Sequence, residues 1–470
     1  MLTDSQAKQQ AEGLAESILS LLPYSPLPDQ LELIRQLSLF TFSRPENGVF
    51  VLNGFAGTGK SSLMGAFVHA LHRTGMKVVL LAPTGRAAKV FSAFAGMPAS
   101  TIHRRLYRPC GQPGETRYTL APNRLEDAIF VVDEAAMISD DRDLRRSLLQ
   151  QLIKYVYSGS GCTMILMGDT AQLPPVGQQK STAMEPDRLV SLGLSPQTFL
   201  LDKPVRQAAL NGILANATMV RKFITGQNEQ KELVLSASPY PDEITVVPGM
   251  ELEDYYTSSI SRYGHENTIV ITRSNWRANA INRDIRARIL YAEEEIGSGE
   301  KLLITRNNYF WARGERHSLI ANGDMATVNW IGSTEERFGL RFAEAELTFP
   351  SRKEPIGAKI MLSTLEASAP SLSLAEMSRF QNLVATTYPG ELTEQLHKAD
   401  EDPYYNALQV KHAYCITCHK AQGGQWHEVY IDMAGIRTDD IGPDFYRWLY
   451  TAITRSFGHV YLINPTIPVE

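Results

Sequence analysis

The sequence predicts an α/β fold built on parallel sheets, and two observations carry that reading. Residues 49–52, 128–132 and 162–167 are short apolar runs, each ending in a polar turn that bears glycine or acid. The first run passes through a glycine-rich loop into a segment of helical composition, so the local order is strand, loop, helix.

The 470 residues are 43% apolar and 21% charged, the balance of an ordinary globular chain with more than one core. A formal net charge of −5 excludes a surface coated in positive charge for indiscriminate polyanion binding and leaves room for a local basic groove. The start, "MLTDSQAKQQAEGLAESILSLL", has acids where an export signal has a basic start and an apolar stretch, so a cytoplasmic protein is expected. No apolar run reaches the roughly eighteen residues of a membrane-crossing helix, and no membrane role is expected. Four cysteines, Cys110, Cys162, Cys415 and Cys418, are too few and too scattered for a disulfide framework.

In chain order, the first 22 residues read as an amphipathic helix closed by the proline-rich "LPYSPLP". Next, "VFVLNGFAGTGKSS" places Gly54, Gly59, Lys60 and Ser61 in the spacing G-x-x-x-x-G-K-S. Glycines let successive backbone N–H groups turn toward phosphate oxygens, and the helix that follows adds its positive end. Gly54, Ala56, Gly57, Thr58, Gly59, Lys60, Ser61 and Ser62 are therefore the expected ATP cradle, with Lys60 on the β and γ phosphates and Ser61 on Mg²⁺.

The run "AIFVVDEAAMIS" ends in Asp133 and Glu134, two adjacent acids for two tasks. Asp133 would hold Mg²⁺, and Glu134 would position and deprotonate the water that attacks the γ-phosphate. The run "CTMILMGDTAQLPPVG" ends in Gly168, Asp169 and Gln172 before two stiffening prolines. The amide of Gln172 can bond the γ-phosphate while ATP is intact and lose that bond afterwards, as a sensor does.

The stretch "CITCHKAQGGQ" at 415–425 contains the C-x-x-C-H spacing of a haem attachment site. Covalent haem requires export, for which the chain shows no signal, and strand alternation would send Cys415 and Cys418 to opposite faces. Neither haem nor zinc is expected.

Several further segments resemble the superfamily 1B DNA helicases of the RecD, Dda and Pif type, from Gln30 to Arg455. "LPDQLELI" resembles the adenine-recognising stretch, with Gln30 as its glutamine; "LLAPTGRAAKVF" and "STIHRRLY" resemble segments lying along the single strand. The resemblance thereby implies nucleic-acid contacts at Pro83, Thr84, Gly85, Thr101 and His103. "DKPVRQ" nominates Arg206 to face the γ-phosphate, and "VITRSNWRANAINRDIR" looks like the opening of a second motor, with Asn275 on the strand and Asn282 at its usual place. "YCITCHKAQGGQW" aligns with the family's T-x-H-K-S-Q-G-S-E type of motif. It gives Thr417, His419 and Lys420 to the strand and Gln422, Gly423 and Gln425 to the nucleotide, with both cysteines at filler positions and the strand leading into a loop. The chain departs from the pattern at Gly424 and Gln425, where the family has Ser-Glu, so an amide replaces the acid that accepts a ribose hydroxyl. "WLYTAITRS" resembles the last helicase motif and makes Arg455 a second arginine finger.

The resemblance implies two tandem RecA-like P-loop motors with a small hairpin or wedge insert and an SH3-like β-barrel insert. The expected division is an N-terminal helix at 1–25, a first motor at 26–200 with the wedge at about 106–123, a second motor at 201–310 and 406–470, and the barrel at 311–405. It further implies a monomeric, ATP- and Mg²⁺-dependent 5′ to 3′ helicase acting on single-stranded DNA and on forked or tailed duplex. The alternative is a single-strand translocase or an RNA helicase.

Overall fold

The computed structural model describes residues 4–110, 117–140, 147–205, 211–312, 319–350 and 352–470. Arg206, nominated from the sequence, lies outside the described residues.

The three apolar runs are adjacent strands of one parallel six-stranded sheet, in the spatial order Ala99–Thr101, Val78–Ala82, Ile129–Val132, Thr163–Gly168, Gly48–Gly54, Ser195–Leu201. Strand alternation sorts their side chains into two cores. Val49, Val51, Phe130, Val132, Met164 and Leu166 pack on one face, and Phe50, Leu52, Ile129, Val131, Ile165 and Met167 on the other. Both faces are buried, which is why these strands read as unbroken apolar runs. Helices Asp4–Leu21, Pro28–Ser43 and Lys60–Arg73 cover the second of these faces and helix Leu148–Tyr157 the first.

A second parallel sheet has the order Cys415–Thr417, Thr268–Thr272, Trp426–Asp432, Ser456–Ile463, Ile244–Val247. With their helices, the two sheets form tandem RecA-like units. Cys415 packs among Tyr256, Val270 and Tyr430 on one side of this sheet, while Cys418 packs on the other with Ile416, Trp426 and Trp448. Burial raises both thiols, Cys418 to about 12, so neither is a ready thiolate ligand. Among the described residues no group of three or more His, Cys, Asp or Glu could hold a metal ion. The strand Cys415–Thr417 runs into a one-turn helix, Cys418–Ala421, where the sequence suggested a loop.

A third sheet has the order Met325–Ile331, Lys301–Ile304, Leu408–His412, Ile356–Met361, Leu340–Thr348, Glu335–Arg337, and Met325–Ile331 also pairs with Leu340–Thr348, closing it on itself. Two of its strands correct the sequence division: Lys301–Ile304 and Leu408–His412, assigned to the second motor, pair here with each other and with the insert. Helices Leu374–Ala385 and Leu392–Asp400 pack beside it through Met377, Phe380 and Phe342. Strands Tyr107–Cys110 and Arg117–Leu120 form an antiparallel hairpin off the first sheet. Among the described residues no helix is long and apolar enough to cross a membrane.

Candidate active site

The glycine-rich loop leaves the strand Gly48–Gly54 and enters the helix Lys60–Arg73. Gly57 and Gly59 sit at φ 75° and 77°, in the left-handed region that costs an L side chain roughly 1–2 kcal/mol. Thr58 is buried, its hydroxyl donating to the Phe55 carbonyl at 2.8 Å, so the loop closes on itself and presents its backbone outward. Gly54, Ala56, Gly57, Thr58, Gly59, Lys60, Ser61 and Ser62 all line one cavity of about 540 Å³. Gln30 does not line it. Its Nε2 donates to the Thr58 carbonyl at 2.8 Å, bracing the loop, while its Oε1 accepts from Leu27 N–H at 3.0 Å and caps the start of its own helix.

Asp133 and Glu134 enter the same cavity from the end of strand Ile129–Val132, and Asp169 and Gln172 from the end of strand Thr163–Gly168. Glu134 has a positive φ of 51°, and its backbone N–H donates to Asp133 Oδ1 at 2.8 Å. Burial, with Glu134 alongside and only partly offset by Lys60, raises Asp133 to about 7. Glu134 Oε2 and Gln172 Oε1 are buried without a protein partner, an arrangement that calls for a polar ligand. Asn53 clamps the two strand ends together, donating to Thr170 Oγ1 at 2.8 Å and accepting from Thr170 N–H at 3.1 Å.

The opposite wall of the cavity comes from the second sheet: Gly423, Gln425, Thr454 and Arg455. Arg455 is 5% exposed; it donates to Thr451 O at 3.0 Å, Gly424 O at 3.3 Å and Thr454 Oγ1 at 3.1 Å. Three of its five N–H donors are thus fixed by its own unit, which aims the guanidinium without using up its capacity. Gln422 departs from the sequence expectation. It does not line the cavity; its Nε2 donates to the Leu173 carbonyl at 2.8 Å and ties the two units together.

That tie is one of a set the sequence reading did not assign. Tyr450 Oη accepts from Ala56 N–H at 2.9 Å, Thr451 Oγ1 accepts from Leu173 N–H at 2.9 Å, and Arg447 donates to the Thr170 carbonyl. Tyr450, Thr451 and Thr454 fall within the stretch that resembles the last helicase motif; Arg447 shares their face of helix Pro443–Ile453 and its C-cap at spacings of three, four and seven, so the helical period adds it to the group.

The proposed strand contacts lie along a separate edge. Thr84 and Thr101 follow paired strand ends, Ala82 opposite Thr101, and their hydroxyls cap helices at Ala87 N–H and Arg104 N–H, both at 3.2 Å. Pro83 and Gly85 flank Thr84, and His103 stands on the exposed side of its short helix with its ring 5.8 Å from that of Tyr107. Across the cleft, Asn275, Thr417 and Lys420 line one small cavity; His419 is half-buried beside them. Lys420 donates to Asn322 Oδ1 at 2.6 Å, and a Cβ added to Gly85 would meet Ala321 at 2.3 Å, so residues 321–324, the turn before strand Met325–Ile331, bridge the two rows. Asn282 is structural: its amide bonds the backbone of His412, Tyr414 and Cys415.

A model of the AAA domain family matches residues 28–231, and one of the UvrD-like helicase C-terminal domain matches residues 412–463. The ATP-dependent RecD2 DNA helicase of Deinococcus radiodurans is 37% identical over 171 residues, 36% of this chain and 21% of that protein. The ATP-dependent DNA helicase dda of Enterobacteria phage T4 is 34% identical over 136 residues, 28% of this chain and 29% of that one. These matches support the resemblance to the superfamily 1B helicases of the RecD, Dda and Pif type. The matched stretches span less than a third of either relative's length. A solved structure of Pif1 helicase from Bacteroides in complex with ADP-AlF3 and ssDNA is 14% identical, with a TM-score of 0.45 over 94% of this chain and 93% of that one. The AAA match holds the cradle, the acid pair and Gln172, and the UvrD-like match holds Gly423, Gln425 and Arg455.

Proposed function

We propose that the chain is an ATP-driven helicase that moves 5′ to 3′ along single-stranded DNA as a monomer and parts a tailed or forked duplex. The observation that carries this reading is the division of one cavity's chemistry between two sheets. Lys60, Ser61, Asp133, Glu134 and Gln172 reach it from the first, and Gly423, Gln425 and Arg455 from the second. A hydrolytic site divided this way is complete only when its halves close, which turns nucleotide turnover into relative motion. Polarity and the choice of DNA rest on the resemblance to the superfamily 1B helicases and on the similarity to the RecD2 and Dda DNA helicases.

The residues suit ATP with a divalent cation. Ser61 and Asp133 supply the oxygen donors that Mg²⁺ prefers, in the same cavity that Glu134 and Gln172 line. Ser61 and Asp133 would hold Mg²⁺ there, which would supply charge neutralisation to the phosphates. Lys60 holds the terminal phosphates while Glu134 accepts a proton from the attacking water. As that water's oxygen bonds to the γ-phosphorus, the bond to the bridging oxygen of ADP breaks. Arg455 faces the charge spread over the transferring phosphoryl, with Arg206 as the second cation, an effect worth about 10³–10⁵ in rate. Gln172 reports whether the γ-phosphate is present. Pro83, Thr84, Gly85, Thr101 and His103 grip the strand on one unit and Asn275, Thr417, His419 and Lys420 on the other, so opening and closing walks the chain along phosphates.

ATP turnover with and without single-stranded DNA tests the reading. Hydrolysis stimulated by the strand and abolished in Lys60→Ala is expected; retained strand-stimulated hydrolysis in Lys60→Ala contradicts the cradle assignment.

A further inference from the structure

We propose that Arg86 is a positioning residue that couples the strand-facing helix of the first unit to the nucleotide loop of the second, by stacking on Trp426 and thereby setting Arg455. The inference rests on reading the cavity as an ATP site and residues 83–85 as a strand contact.

Arg86 stands in the first turn of helix Gly85–Ala95, one residue past the segment assigned to the strand. Its guanidinium carbon lies 3.9 Å from the ring centroid of Trp426, which is fully buried in the second unit. Trp426 N–H donates to the Arg455 carbonyl at 2.9 Å, and Arg455 in turn donates to Gly424 O at 3.3 Å. The loop that receives Arg86 is therefore the loop that holds Arg455.

Gly424 shows that the contact is built in. A Cβ there would lie 2.4 Å from the Arg86 guanidinium carbon and 2.7 Å from the Trp426 ring. Gly424 is absent from the positive-φ glycines, so the space taken by Arg86, and not the backbone, is what calls for glycine where the family pattern has serine. The placement is also costly. Burial and the neighbouring Arg455 charge push Arg86 down to about 10, with Asp324 only partly compensating. An apolar side chain would fill this site at less cost, whereas a cation beside a second cation responds to charge arriving at either end. A strand phosphate at Thr84 and Gly85 changes the field on Arg86, and the stacked ring passes that change to the loop holding Arg455. The helix start is anchored meanwhile by Lys89 on Asp324 at 2.8 Å.

The test uses the full chain and measures ATP turnover without and with single-stranded DNA. Arg86→Ala is expected to keep strand-free turnover and the KM for ATP while lowering strand-stimulated kcat about tenfold, the size of one desolvated cation–π contact. Arg86→Lys recovers part of the stimulation. Gly424→Ser displaces the Arg86 guanidinium and also crowds the Trp426 ring; it is expected to reproduce the loss alone and, in the Arg86→Ala background where the guanidinium is gone, to cost less than it does alone, with thermal unfolding confirming that both proteins are folded. Equal stimulation in Arg86→Ala and the parent chain overturns the proposal, and so does an additive loss in the double variant. A parent chain whose turnover ignores the strand overturns the underlying site reading, and this proposal with it.

Discussion

Tyr450 donates its hydroxyl proton to Asp169 Oδ2 at 2.7 Å, joining a helix of the second unit to the strand end that carries Gln172 in the first. The Tyr450 hydroxyl oxygen also accepts from Ala56 N–H in the glycine-rich loop, so one buried phenol holds cradle and sensor in register. With Thr451 on Leu173 and Gln422 on the same residue's carbonyl, the sensor loop is held from across the cleft at both backbone polarities.

Removing that hydroxyl leaves the Ala56 N–H and the buried Asp169 carboxylate each short of a partner, at roughly 1–3 kcal/mol per unsatisfied group. Tyr450→Phe is therefore expected to lower strand-stimulated kcat by about tenfold or more while leaving the first unit's own cradle intact. Steady-state turnover at saturating ATP checks it; an unchanged kcat removes Tyr450 from the closure.

Gln172→Ala should separate binding from turnover. Lys60 and the loop amides still hold the nucleotide, but the Gln172 amide, whose N–H groups can donate to the γ-phosphate, is gone from the cavity wall. The expected result is an ATP KM within a few-fold of the parent with stimulated turnover reduced about a hundredfold, on the scale of one lost polar contact to the reacting phosphoryl. Nucleotide affinity measured beside kcat distinguishes this from simple unfolding.

Much of this was legible in the sequence because the chemistry is local. A strand buried on both faces shows as an apolar run, and a phosphate loop needs glycines at fixed offsets, so Val49 through Ser62 reads directly. Gln30 and Gln422 were placed toward the nucleotide by pattern, yet each amide is engaged by backbone carbonyls, Thr58 and Leu173, that no spacing reveals. Strands Lys301–Ile304 and Leu408–His412 pair across more than a hundred residues, so their membership of the closed sheet depends on a register that only tertiary packing sets. Arg86 was missed because its partner Trp426 is equally remote.

The buried Lys301 ammonium donates to the His265 carbonyl at 2.6 Å, and burial, with Arg86 nearby, lowers it to about 7. Its unfolded value is about 10.4, so above pH 7 the unfolded chain binds the extra proton and stability rises with pH; below 7 the full cost of the buried charge is felt. Lys411, lowered to about 8, adds the same sign. Denaturant midpoints at pH 6.5 and 8.5 should therefore increase with pH in the parent chain and increase less in Lys301→Met. Working below the range where the raised Cys415 and Cys418 thiols act in the opposite sense keeps the comparison clean. An identical slope in the two proteins contradicts the assignment.

Cys415→Ser with Cys418→Ser places two hydroxyls in apolar cores, at roughly 1–3 kcal/mol each. Stability should fall, while ATP turnover below the unfolding transition stays within a few-fold and the parent chain carries no stoichiometric zinc by elemental analysis. Collapse of activity together with loss of bound metal would revive a thiolate site.

The central claim meets its most direct test in ATP-driven unwinding of one DNA duplex offered with either a 5′ or a 3′ single-stranded tail, with Glu134→Gln as control. Opening from the 5′ tail alone, lost in the control, is the predicted result. Opening from the 3′ tail alone, or none from either tail while the strand still stimulates hydrolysis, contradicts the 5′ to 3′ helicase.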